Sequence, residues 1–333
     1  MRIGLSFDLR NPKQWHRPWR DVYAATLDLI VEAERLGIDI IKIAEHHQFD
    51  DGYMPQPLTF LAAVAARTSR IRISTGILTT PLHSAVEIAE QAAVVDGLSG
   101  GRLELGLGIG YRLPEYELYG IDFERRFALF RERIQQLRSI WRERTTTPAP
   151  VQSEIPLWAG VQGPKTSRVA GQLGMGLLYL PDDNWEHYLQ GLDEGGYGRN
   201  VARLAGSFQA MLSTNPDAVF DEFAPFIEHN RFSYAWHGVE KTDKPPPTPL
   251  STTELRELGL VGSSGAARNQ LLGGGRVLQI LDASEAARQI SALAKGRKVD
   301  TVYLAGAVSG QINSRAYESL ELVAKKLRPL LTT

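Results

Sequence analysis

The sequence predicts a parallel (β/α)8 barrel, and three observations carry that prediction. Eight short segments are apolar at nearly every position, as expected of strands buried on both faces. Most of them lead into a stretch whose apolar residues recur at helical spacing. The 333 residues suffice for such a barrel as a single domain, and residues 1–333 are read as one.

The elements follow in order. Ile3–Phe7 is a strand, followed by a polar loop over Asn11–Arg20. A helix with Val22, Leu27, Leu29, Ile30, Ala33 and Leu36 on its apolar positions ends at Gly37, the residue suited to a left-handed C-cap. Ile38–Ala44 is the second strand, Leu58–Thr68 a helix, and Ile71–Leu78 the third strand. A helix over Ser84–Leu98 runs into Gly100-Gly101, and Arg102–Ile109 is the fourth strand. A long amphipathic helix is expected from Phe123 to Trp141, then a loop over Thr145–Pro150 and a strand over Ile155–Val161. Lys165–Leu173 reads as a helix and Gly176–Leu180 as the sixth strand. Met211–Thr214 marks the seventh strand, Asp300–Ala305 the eighth, and Ser314–Leu327 the last helix. Between Trp236 and Gly275 the pattern breaks into proline and glycine clusters, among them Pro245-Pro246-Pro247 and Gly273-Gly274-Gly275. So long an irregular stretch reads as an insertion, expected to form a lid over the barrel mouth.

Composition narrows the chemistry. The net charge is −1, which gives no electrostatic reason to expect nucleic acid or an anionic membrane as partner. The absence of cysteine excludes disulfides, thiolate nucleophiles and cysteine-ligated metals. The N-terminus lacks the apolar core of about 7–15 residues that marks a secretory signal. No apolar run reaches the ~18–20 residues of a membrane span. A cytoplasmic enzyme is the expectation.

Three motifs can carry chemistry. Glu45-His46-His47 directly follows the second strand, and barrels of this type place their active sites at the carboxyl ends of the strands. Imidazole there can move a proton near neutral pH or hydrogen-bond an electron-rich ring. A buried, satisfied histidine pair is the plainer reading. A metal held by His46, His47, His83 and Asp96 is a further one, disfavoured because adjacent residues on a strand point to opposite sides. Gly106-Leu107-Gly108-Ile109-Gly110 ends the fourth strand, where missing side chains let a planar or phosphorylated ligand approach or simply make room inside the barrel. It is not a dinucleotide fingerprint, because Pro114 follows where a helix should begin at once. Gly160–Ser167 forms a strand end, a Gly163-Pro164 turn and a helix start with Lys165, Thr166 and Ser167. Its N–H groups and dipole suit a phosphate, and plain capping is the alternative. Gly76 at the end of the third strand marks a bulge or an uncommon peptide geometry.

Together these stretches resemble the bacterial luciferase-like superfamily of flavin- and deazaflavin-dependent oxidoreductases. The resemblance rests on Glu45-His46-His47, on Ser74–Pro81, on the run from Glu90 through Asp96 and Arg102 to Gly110, and on Gly163-Pro164-Lys165. It implies a TIM barrel whose carboxyl face holds the isoalloxazine ring, with His46 as acid/base and Glu45 and His47 beside it. It further implies a non-prolyl cis peptide at Gly76-Ile77. Gly108 and Ile109 would lie by the ring, and Gln162, Gly163 and Thr166 would hold the cofactor phosphate. Many flavin monooxygenases of the family carry arginine where this chain has Ile109. Gly76-Ile77 and the Gly163-Pro164-Lys165 turn look more like the deazaflavin branch.

The expected function is therefore monooxygenation of a small organic substrate with reduced FMN and oxygen. Deazaflavin (coenzyme F-420) hydride transfer is the alternative, and a metal-dependent hydrolase or a non-catalytic barrel subunit are further ones. A separate flavin reductase and a homodimer are implied by resemblance. Trp15, Trp19, Tyr53, Tyr111 and Trp236 are candidates for the substrate pocket, and no resident metal is expected.

Overall fold

A computed structural model of the protein describes residues 1–259 and 278–332. Ten strands form: β1 (Arg2–Phe7), β2 (Ile40–Ile43), β3 (Arg72–Thr79), β4 (Leu103–Gly108), β5 (Leu157–Gly160), β6 (Gly176–Leu178), β7 (Leu204–Ser207), β8 (Ala210–Leu212), β9 (Gln279–Leu281) and β10 (Val299–Ala305). The helices are α1 (Trp19–Arg35), α2 (Pro57–Arg67), α3 (Ala85–Ser99), α4 (Leu113–Leu118), α5 (Arg126–Arg142), α6 (Pro164–Gln172), α7 (Trp185–Glu194), α8 (Pro216–Val239), α9 (Thr252–Glu257), α10 (Ala283–Ala294), α11 (Ser314–Leu322) and α12 (Arg328–Thr332). Strands β1 to β7 and β10 close into one barrel of parallel neighbours, with β10 between β7 and β1. The predicted (β/α)8 barrel is the observed one.

The closure explains where the strand assignments needed correction. The seventh barrel strand is Leu204–Ser207, not Met211–Thr214. Its sequence, Leu-Ala-Gly-Ser, has weak strand propensity, and barrel pairing with β6 and β10 decides the matter. Small residues are needed there, since a Cβ on Gly206 would lie 2.8 Å from the Leu180 side chain. Met211 and Leu212 instead pair with β9 in a separate two-stranded parallel sheet. The second strand is shorter than Ile38–Ala44, because Ile38 N still donates to Ala33 O at the end of α1. The sixth ends at Leu178 rather than Leu180. The helix expected from Phe123 opens as a single 3-10 turn over Phe123–Arg125, capped by Asp122, before α5 begins. Pro114 sits in the first turn of α4, a helix the sequence pattern did not mark.

Helix α8 runs through Trp236 to Val239, so the irregular segment begins after it. Residues 260–275 of the anticipated lid lie outside the described residues. Among the described residues no helix is long and apolar enough to cross a membrane.

The barrel interior is layered. At the amino end the buried Glu104 joins Arg2, Arg72 and the indole N–H of Trp158. Above it Ile40, Trp158, Ala205 and Tyr303 form a small apolar core inside the strands. The larger core lies between the strands and the surrounding helices. The next level toward the carboxyl ends holds Ser6, Gly76, Gly160, Ser207 and Ala305, and these small residues line a cavity.

Candidate active site

The cavity has a volume of about 740 Å³ and sits at the carboxyl ends of the strands. Of the residues singled out from sequence, Glu45, His46, Gly76, Ile77, Ile109, Gln162 and Thr166 line it. His47, Gly108 and Gly163 are not among its lining residues.

His46 is brought to the wall by the turn after β2. Its Nδ1 lies 2.9 Å from Glu115 Oε1, and the same oxygen accepts from the backbone N–H of His47. Glu115 comes from α4, where Pro114 fixes the first turn. It is wholly buried, and its Oε2 has no hydrogen-bond partner. The imidazole stacks on Phe49 at 4.5 Å and meets Tyr53 and Tyr111 edge-on. With Nδ1 held, Nε2 is the nitrogen that can exchange a proton with a molecule in the cavity.

His47 and Glu45 serve a different cluster. Glu45 Oε1 accepts from His47 Nε2 at 2.9 Å and His83 Nε2 at 2.6 Å, and its Oε2 accepts from Thr79 N. Burial alone would push this carboxyl up, but the two imidazole hydrogen bonds and charges hold it down at about 2. His83 is the reverse case: burial lowers it, and Glu45 more than compensates, raising it. The candidate metal set of His46, His47, His83 and Asp96 is not assembled. His46 belongs to Glu115, and Asp96 accepts from Gln152. Glu45, His47 and His83 do lie close enough to share an ion, yet every polar contact just described ties them to one another or to backbone.

Gly76-Ile77 is a cis peptide, as the resemblance implies. Pairing with β4 skips Ile77 and resumes at Leu78, so Ile77 is a bulged residue. Its side chain fills the space that Cβ atoms on Gly108 and Gly160 would occupy, at 2.7 and 2.1 Å. Both glycines make room for Ile77, and Gly160 also lines the cavity. Thr166 lines the cavity, and its hydroxyl donates to Gln162 O at 2.7 Å. What remains at that corner is the start of α6 after Gly163, whose φ is 93°, together with Gln162 and Arg126 on the cavity wall.

Several buried side chains at or beside the cavity escaped the sequence reading. Arg10 is fully buried, pairs with Asp51 and lies 4.6 Å from the ring centres of both Tyr53 and Tyr234. The two phenols share a hydrogen bond of 2.8 Å, and both line the cavity. Nothing in the local sequence pairs residues so far apart. Of the aromatic candidates, Tyr53 and Tyr111 line the cavity. Trp15 packs on Phe226, Trp19 covers Gly52, and Trp236 is exposed.

The donor set fits a flat redox ring with a polar tail. Apolar Ile77, Val161 and Leu178 alternate with a few convergent polar groups, His46, Lys42, Ser6 and Gln162, in a space large enough for a tricyclic system.

An eight-stranded parallel barrel with an oriented imidazole on a wide cavity at its carboxyl face is built as an enzyme of the TIM-barrel class. Residues 1–274 match the model of the luciferase-like monooxygenases. The chain belongs to that luciferase-like family, whose relatives are flavin- or deazaflavin-dependent oxidoreductases. It is 30% identical over 231 residues to the F420-dependent glucose-6-phosphate dehydrogenase of Kineococcus radiotolerans, covering 62% of this chain and 67% of that one. It is 27% identical over 178 residues to the oxygenase component of the flavin-dependent trigonelline monooxygenase of Acinetobacter baylyi, covering 49% of each. In fold it matches the monooxygenase RslO1 of Streptomyces bottropensis, with a TM-score of 0.79 over 99% of both chains at 20% identity.

Proposed function

We propose that the chain is a luciferase-like oxidoreductase in which His46 carries the substrate proton while a tricyclic ring in the cavity carries the electrons. The observation that supports it is the His46–Glu115 contact at the cavity wall. When bound, a deazaflavin exchanges two electrons with an organic substrate, and a reduced flavin also activates oxygen. Glu115 orients the imidazole, Phe49 and Tyr53 confine it, and Nε2 takes or returns the proton on the substrate oxygen. Ile77, Gln162 and Arg126 would hold the ring and its tail.

Of the two chemistries, the match to the Kineococcus enzyme favours deazaflavin-dependent transfer, and Ile109 in place of arginine agrees with it. FMN-dependent monooxygenation, the first expectation from sequence, draws support from the shorter match to the Acinetobacter oxygenase component and would call for a reductase as partner. A homodimer is part of the proposal: Val86, Val94 and Leu98 form an exposed apolar stripe on α3.

Stopped-flow mixing with oxygen tests the cofactor. The protein loaded with reduced FMN should consume oxygen no faster than free FMN. Oxidised deazaflavin should be reduced in the presence of an alcohol or sugar phosphate. Oxygen incorporation into product would instead establish the monooxygenase.

A further inference from the structure

Lys42 stands apart in the barrel. It lies on β2 among Ile40, Ile41 and Ile43, in register with Ser6 on β1 and Ser74 on β3. Only 5% of it is exposed, and it lines the cavity. Its Nζ crosses the barrel to donate to Ser207 Oγ on β7 at 2.7 Å. The same nitrogen sits 4.7 Å from the centre of the Tyr303 ring, part of the apolar core below. A Cβ on Gly76 would come within 2.4 Å of the lysine stem, so the glycine at the cis peptide keeps the space for it. The result is an ammonium group at the junction between the packed interior and the cavity floor.

A purely architectural role would be served more cheaply by an apolar side chain of similar length, because burying an ammonium costs desolvation free energy. A cation at the base of a cavity has its effect on whatever charge develops above it, and there the low dielectric strengthens that effect. Resting on the reading of this cavity as a redox-ring site, we propose that Lys42 tunes that ring by favouring its reduced form, which carries one more negative charge, over the oxidised one. The balance is simple. An oxidised ring that takes two electrons and one proton from a hydride donor gains one negative charge. A positive charge at the floor stabilises that product more than the reactant. Tyr303 and Ser207 hold the ammonium in place, and Lys42 thereby sets the driving force of the electron step rather than moving a proton.

The test compares anaerobic binding of the oxidised and reduced forms to the wild type, Lys42→Met and Lys42→Arg. The probe is FMN or deazaflavin, whichever binds the wild type more tightly. In Lys42→Met the oxidised form should bind within about threefold of the wild type. The reduced form should lose at least about tenfold more affinity than the oxidised form does, lowering the midpoint potential of the bound ring by about 30 mV or more. Lys42→Arg, which keeps the charge, should restore most of the ratio. Equal weakening of both forms, or an unchanged ratio in a folded Lys42→Met protein, overturns the proposal and leaves the cavity assignment standing. Failure of both rings to bind the wild type overturns both.

Discussion

Replacing His46 by alanine should lower turnover at least about 100-fold while leaving the barrel folded and the cofactor bound. The lower bound is that of losing a general acid or base. The side chain sits on the cavity wall and Glu115 stays tied to His47 N, so the backbone has little reason to move. Binding of the ring should change by no more than a few fold, because the groups proposed to hold it lie on β3, α5 and the β5–α6 loop. Added imidazole should recover part of the lost rate if the missing group is a proton carrier. Turnover near that of the wild type would remove His46 from the chemistry. A thermal midpoint far below the wild type would show that its role is structural.

The second large effect concerns stability. Glu45→Ala should cost about 3–5 kcal/mol, the usual penalty for removing one partner of a buried charged cluster. The substitution leaves His47, His83 and Thr79 N without their shared acceptor. The pH dependence follows from the same carboxyl. Its pKa falls from 4.5 unfolded to about 2 folded. Its contribution is therefore complete above pH 4.5 and disappears as pH falls toward 2. At about 1.4 kcal/mol per pH unit this amounts to about 3 kcal/mol. His83 acts on the other flank: its pKa is raised, so its contribution is present below its ordinary value of 6.5 and is lost as pH rises through the folded value. Glu45→Gln, which keeps one acceptor, should remove the acid-side dependence with a smaller loss at neutral pH. Denaturant unfolding of the three proteins from pH 2.5 to 7 decides this, and an unchanged acid flank in Glu45→Gln would assign it to other carboxyls such as Asp51.

How much of this was legible in the sequence depends on the range of the interaction that fixes each feature. The barrel and the motif after β2 were legible, since both rest on local pattern: apolar strand runs, and three consecutive residues at a strand end. The motif's division of labour was not. His46 and His47 are neighbours, but one answers to Glu115 on α4 and the other to Glu45 and His83. The glycines of β4 left two readings open, approach of a ligand or room inside the barrel, and only the bulge at Ile77, set by the pairing of β3 with β4, shows what fills the space beside Gly108. β7 was missed because its small residues are chosen by what packs inside the barrel, not by strand propensity. Lys42 and Arg10 depend on contacts across more than 160 residues, to Ser207 and Ser233, and no local signal marks either.

The proposed function requires that the cavity beside His46 hold one tricyclic redox ring. Anaerobic equilibrium titration of the wild-type protein with reduced FMN and, separately, with reduced deazaflavin tests this. Saturable binding of one ring per chain, tighter for deazaflavin, is the expected result. Tighter FMN binding would keep the site and transfer the function to oxygen chemistry. Binding of neither would contradict the assignment of this cavity.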